Sequence, residues 1–137
     1  MPHPIELTVY PDQCDTFGHL NQASYFALFE RARWELLRRG AGMDLFTKAG
    51  VWPAVRKAAV EYHTGTWPGD VLRFGLEMTQ RGRTSFTLRQ TATRTRDSVV
   101  VATLESLFVC VDRTQRAVPI PEEVAAAFGP DELMLPM

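Results

Sequence analysis

Cysteine is nearly missing from this sequence: Cys14 and Cys110 are the only two, too few for a disulfide framework or a cysteine-rich metal site. No apolar run approaches the ~18 residues that a membrane-spanning helix needs. The opening Met-Pro-His-Pro-Ile-Glu has neither a basic stretch nor an apolar one, so no secretory signal is expected. An excess of either charge is lacking too: 15 Lys+Arg stand against 16 Asp+Glu, a net charge of -1. Without a basic field, nucleic-acid binding and membrane-surface binding have no support in the composition. Internal repeats, low-complexity tracts and linkers are absent. So are a Gly-x-Ser-x-Gly elbow, a P-loop, a dinucleotide fingerprint and a His-Glu-x-x-His ligand pattern. Neither a metal nor a tightly held cofactor is expected.

What is present is an ordinary globular balance, 45% hydrophobic and 23% charged, which argues against disorder. The 137 residues suffice for one core and are too few for two. The expectation is a single cytoplasmic domain over residues 1–137. Residues 7–10 read as a short strand closed by Pro11. A polar, glycine-containing segment, residues 11–22, leads into a helix over about 23–39. Asn21 or Ser24 is its candidate cap, Arg38 and Arg39 occupy its last turn, and Gly40 lies just beyond.

That helix is apolar over a wide arc. Tyr25, Leu28, Phe29, Ala32 and Leu36 make one stripe, and Phe26, Trp34 and Leu37 extend it, so burial on more than one face is expected. Residues 43–49 suggest a second short helix. Strand patterns follow over residues 51–63, 71–80, 84–96 and 99–111, with turns at Gly65-Thr66-Trp67-Pro68-Gly69-Asp70 and Arg81-Gly82-Arg83. Residues 121–128 read as a short helix opening on Pro121. One long helix followed by antiparallel strands is an α+β layout, with a curved sheet wrapped round the helix.

The segment before the long helix concentrates the chemistry. Asp15 stands six residues ahead of Asn21, close enough to lie beside a helix N-terminus with its unpaired N–H groups and positive dipole end. A carboxylate next to such an anion-stabilising end suits acyl transfer, attacking a carbonyl directly or activating water. The competing reading is an Asx-turn that shapes the loop. His19 is a candidate to polarise a carbonyl or orient water, or a hydrogen-bonded structural residue. Asn21 is a candidate cap or substrate contact, with the cap the better fit. Asp12 and His63 read as structural. Cys14 adjoins Asp15, which disfavours its thiolate.

Val9-Tyr10-Pro-Asp-Gln-Cys-Asp15-Thr-Phe-Gly18-His19-Leu20-Asn21-Gln-Ala-Ser-Tyr25-Phe26, followed by Phe29-Glu30-Arg31-Ala32-Arg33, resembles the opening of hotdog-fold acyl-CoA thioesterases of the 4-hydroxybenzoyl-CoA thioesterase type. Val60-Glu-Tyr62, Trp67-Pro68-Gly69-Asp70, Arg83-Thr84-Ser85-Phe86 and the stretch from Val109 to Pro121 match the same pattern in order. The resemblance implies a five- or six-stranded antiparallel sheet round the long helix, and dimers or dimers of dimers with continuous sheets. It implies an acyl-CoA or acyl-carrier-protein substrate, with Asp15 as the catalytic aspartate and His19 and Asn21 assisting. The oxyanion donor would be a backbone N–H near Gln22 or Ala23, with Tyr25 nearby. In this family the active site lies at the dimer interface. Partner-subunit groups around His63, Thr64, Gly65 and Thr66, or Arg83, Thr84 and Ser85, would then line the pantetheine path. Arg81 and Arg83 are candidates for the coenzyme A phosphates. A second hotdog lineage carries its carboxylate on the central helix, where Glu30 is the counterpart. The rivals to hydrolysis are a hotdog hydratase or dehydratase, and a module that binds an acyl thioester without turning it over.

Overall fold

The computed structural model describes residues 5–128. A short strand β1 (Ile5–Thr8) leads through a single 3-10 turn (Pro11–Gln13) to the long helix α1 (Gln22–Arg39) and a one-turn helix α2 (Leu45–Lys48). Four strands follow: β2 (Trp52–Tyr62), β3 (Val71–Arg81), β4 (Ser85–Arg94) and β5 (Val99–Val111), then α3 (Glu122–Ala127). They form one antiparallel five-stranded sheet in the order β1-β3-β4-β5-β2. This is the expected α+β layout, at the five-strand end of the expected range.

Strand alternation builds the core. Leu72, Phe74 and Leu76 of β3 join Phe86, Leu88 and Ala92 of β4 and Val101, Leu104 and Phe108 of β5 on the buried side. From α1, Leu28, Phe29, Ala32 and Leu36 pack against them in one contiguous cluster. Phe29 meets Phe74 edge-on with ring centres 5.4 Å apart, and Phe86 stacks on Phe108 at 5.2 Å. Gln90 shares the buried parity of Phe86 and Leu88, and its amide is satisfied: Nε2 donates to the Phe29 carbonyl at 3.0 Å. That bond ties α1 to β4 at mid-length.

Three expectations are corrected. The first strand ends at Thr8 rather than running to Tyr10, because Val9 and the residues after it turn towards the Gly69–Asp70 corner: Gly69 N–H donates to the Val9 carbonyl, and Val9 N–H to that of Asp70. Pro121 is the N-cap of α3 and not its first helical residue. Helix α1 is buried on one side only, with Phe26 40% and Trp34 44% exposed. A single sheet covers a single helix face, so these two rings extend beyond what this chain alone can bury.

Of the two edge strands, β1 is four residues long and β2 is eleven. Strand β2 pairs only with β5, carries a bulge between Val55 and Lys57, and is exposed along most of its 11 residues. A long unpaired edge is an open template for another strand.

Candidate active site

The site is built around a loop that folds back on itself just before α1. Cys14 and Leu20 form an isolated antiparallel bridge, and inside it Asp15 N–H donates to the His19 carbonyl at 2.9 Å. Gly18 N–H donates to the Asp15 carbonyl at 3.0 Å and takes φ +88°, a left-handed conformation that glycine adopts without penalty. Asp15 Oδ1 accepts from Phe17 N–H at 2.9 Å, so the Asx-turn reading holds. It does not exhaust the residue. Asp15 is exposed, and its second oxygen accepts nothing from the described residues.

The loop is fastened to α1 and to the β2–β3 connection. Asn21 is the N-cap: its Oδ1 accepts from Ala23 N–H at 2.8 Å, which consumes one of the two candidate oxyanion donors. Gln22, the first helical residue, has no acceptor for its N–H among the described residues and sits at the positive end of the dipole. On its other side, the Gln22 carbonyl accepts from the Tyr62 hydroxyl at 3.0 Å. Leu20 N–H donates to the Thr66 carbonyl at 2.7 Å, and the Thr66 hydroxyl lies 3.0 Å from that of Tyr25. Burial raises both tyrosines above the ordinary phenol range, so each keeps its proton at neutral pH; for Tyr25 this outweighs the opposing bond to Thr66.

His19 packs its ring edge-on to Trp67, centres 5.0 Å apart, and a β-carbon on Gly65 would stand 3.6 Å from the imidazole. Trp67 is held by two guanidinium groups, those of Arg94 and Arg96, 5.9 and 5.8 Å from the ring centre. Arg94 is almost fully buried; it donates to the Gly65 carbonyl and pairs with Asp97 at 2.7 Å. Arg96 donates to Asp70 Oδ1 at 2.7 Å, and Asp70 Oδ2 accepts from Trp67 N–H at 2.9 Å. Burial works to raise the Asp70 carboxyl, but the bonds from Arg96 and Trp67 and the charges of both arginines outweigh it and hold it below the usual range. This clamp fixes the wall against which His19 rests.

The fold thus gathers Asp15, His19, Asn21, Gln22, Ala23, Tyr25 and Gly65 round one helix end, with Thr64 beside them, its N–H on the Val101 carbonyl at 3.4 Å. It does not bring Arg83, Thr84 and Ser85 there within one chain. Ser85 pairs with Val109 while Tyr62 pairs with Ala102, seven positions earlier on β5, or roughly 23 Å at a strand's rise. Burial first, then the charges of Asp15 and Asp12, raise the Cys14 thiol, which disfavours its thiolate. His63 is exposed at the end of β2, 3.4 Å from the Thr103 hydroxyl. The Arg94–Asp97 and Arg96–Asp70 pairs were not anticipated. Parity with Phe86, Leu88 and Ala92 would have placed Arg94 on the buried face, where a charge needs a partner.

A fold of one long helix on a five-stranded antiparallel sheet, with a carboxylate on the loop feeding the helix, defines a class. Residues 9–128 match the thioesterase-like superfamily, and the chain belongs to that family. It is 31% identical over 122 residues to an acyl-CoA thioester hydrolase, YbgC, of Escherichia coli O6:H1, covering 88% of this chain and 90% of that protein. It is 28% identical over 111 residues to the long-chain acyl-CoA thioesterase FadM of Escherichia coli K12, covering 80% and 84%. Among solved structures, YbaW, a probable thioesterase from Escherichia coli, superposes with a TM-score of 0.82 at 25% identity, over 97% of this chain and 98% of that one. The architecture is that of the hotdog thioesterases.

Proposed function

We propose that this chain hydrolyses acyl-CoA thioesters, with Asp15 driving the attack. The observation that carries the reading is the exposed Asp15 carboxylate on the turn before a helix: one oxygen is used by the loop, and among the described residues neither the other oxygen nor the first N–H of the helix has a partner. In the reaction a C–O bond forms at the thioester carbonyl, either from Asp15 itself or from a water it deprotonates. The tetrahedral oxyanion is held by Gln22 N–H, and the C–S bond breaks to release the thiol. If Asp15 attacks directly, water hydrolyses the resulting anhydride in a second step. His19 borders the reacting centre and orients the carbonyl or water, while Asn21 acts through the helix cap. Coenzyme A is preferred to a carrier protein as the thiol because the similar curated enzymes are acyl-CoA hydrolases.

The working unit we infer is a dimer through β2. Two antiparallel copies of this edge would place the Trp52 end of one beside the Tyr62 end of the other. That juxtaposition carries Arg83, Thr84 and Ser85 of one chain towards the other's Asp15, and it offers cover for Phe26 and Trp34. Arg81 and Arg83, exposed at the β3–β4 turn, are then available to coenzyme A phosphates. A hydratase is less well supported, because His19 packs on Trp67 and makes no side-chain bond to Asp15 among the described residues. Thiol release from short, long and aromatic acyl-CoAs tests the reading. Release with at least one of them is expected; enoyl-thioester hydration without release, or binding without release, contradicts it.

A further inference from the structure

A second feature lies at the far end of α1. Between the last turns of that helix, α2 and the Trp52 end of the sheet is a cavity of about 290 Å³, at the small end of the range for ligand sites. Its walls are mostly apolar, among them Trp34, Phe46, Val55, Leu88 and Phe108, and two charged groups line it, Arg33 and Glu30. Arg33 stands eleven residues into α1 from Gln22, roughly 16 Å along the axis from the helix end beside Asp15.

The state of Arg33 is unusual. Its Nη1 donates to Gln90 Oε1 at 2.9 Å, and its guanidinium lies 5.5 Å from the centre of the Phe108 ring. Among the described residues it forms no ion pair. Gln90 is neutral and its own amide is committed to Phe29, so it orients the guanidinium without neutralising it. A guanidinium has five N–H donors, and one is used here. No buried polar atom is left unpaired among the described residues, so the spare donors open onto accessible space. Burial lowers the pKa of Arg33 from its ordinary value, and the charge of Glu30, one turn earlier and also lining the cavity, opposes this; the group stays charged. Arg33 is thus a permanent cation with no carboxylate at ion-pair distance among the described residues, Glu30 acting on it only from farther away.

We propose that this cavity receives the far end of the acyl group, and that Arg33 selects a compact, apolar acyl chain bearing a carboxylate remote from the thioester. The assignment rests on the thioesterase reading and on the β2 dimer, which brings this cavity to the partner's Asp15. A hydroxyl would satisfy a spare donor but not the charge; a carboxylate does both, and its planar pair of oxygens matches the guanidinium fork. The volume, about twice that of a cavity that takes one benzene ring, accommodates an aromatic ring together with a remote carboxylate.

Two of the chain's three tryptophans, Trp34 and Trp52, line the cavity and report its occupancy by fluorescence. The wild-type protein is titrated with 4-methylbenzoate and with its neutral analogue 4-methylbenzamide, neither of which is a thioester, so the result does not depend on turnover. The carboxylate is expected to bind at least tenfold more tightly, and Arg33→Met to erase the difference. Arg33→Lys, which keeps the charge and loses the fork, is expected to retain part of it; it also serves if the methionine variant does not fold. Equal affinities, or no response to either compound, overturn the inference. Thiol release then compares 4-carboxybenzoyl-CoA with 4-methylbenzoyl-CoA. A kcat/KM ratio favouring the carboxylated substrate and falling at least tenfold in Arg33→Met supports the assignment, and a ratio near one overturns it. Absence of thiol release from every acyl-CoA is the separate failure that belongs to the thioesterase reading.

Discussion

Asp15 commits one carboxylate oxygen to the loop, and in the proposed reaction the other serves as nucleophile or base. Asn21 commits its side-chain oxygen to Ala23 N–H as the cap of α1. Asn21→Ala therefore removes a cap, and urea denaturation should show a loss of about 1 kcal/mol. Asp70 gives a pH signature. Its carboxyl is held below the unfolded value by Arg96 and Trp67, so the stabilisation is complete above about pH 4 and is lost as pH falls through the depressed folded value. Thermal unfolding followed from neutral pH downward should show a falling melting temperature in the acid range, and Asp70→Asn should flatten that fall. A variant as steep as wild type would remove Asp70 from the account. In the core, Phe29→Ala should cost about 3–5 kcal/mol, because the ring is fully buried against Phe74.

At the scale of elements, strong period-2 alternation made β3 and β4 legible within a residue or two, a long β-rich run did the same for β5, and Asn21 and Gly40 marked the ends of α1. The width of the apolar arc on α1 was legible but misleading. It suggested burial on several faces, whereas Phe26 and Trp34 stand exposed on a helix that one sheet covers. Periodicity reports which residues avoid water in the working protein, and one chain is not the whole of it if β2 is an interface. That strand makes a direct prediction. Residues at a two-fold axis face their own copies, so the paired substitution Ala58→Arg with Ala59→Arg puts like charges opposite each other. Both alanines are exposed in the single chain, so folding should survive while the dimer dissociates in light-scattering measurements. An unchanged mass would move the interface elsewhere.

Considered as a whole molecule, the chain carries its parts at opposite ends. The Asp15 loop and the Tyr62 end of β2 lie together, while the cavity and the β3–β4 turn lie at the Trp52 end. The Asp15 half was readable because it is local in sequence, compressed into residues 15–25. In the clamp Arg94 and Asp97 are only three residues apart, but Asp70 and Arg96 are 26 apart, and their ion pair comes only from the β3–β4 register. The cavity was not readable, since no motif marks it and its lining comes from two helices, four strands and the residue that ends α3. If each site is shared between protomers, two inactive variants should complement. Mixing Asp15→Asn with a cavity-blocking Val55→Trp, after dissociation and reassembly, should restore about a quarter of wild-type activity, since half the dimers carry one intact site. No recovery would place the whole site within one chain.

Asp15→Asn tests the central claim most directly. Asparagine keeps an oxygen to accept from Phe17 N–H, so the loop and its Asx-turn should persist while the nucleophile or base is removed. Measured by thiol release on the best acyl-CoA substrate, with the fold checked by circular dichroism, the variant should lose at least about a hundredfold in turnover. Wild-type turnover from a folded Asp15→Asn protein would contradict the account and leave Asp15 as a turn residue only.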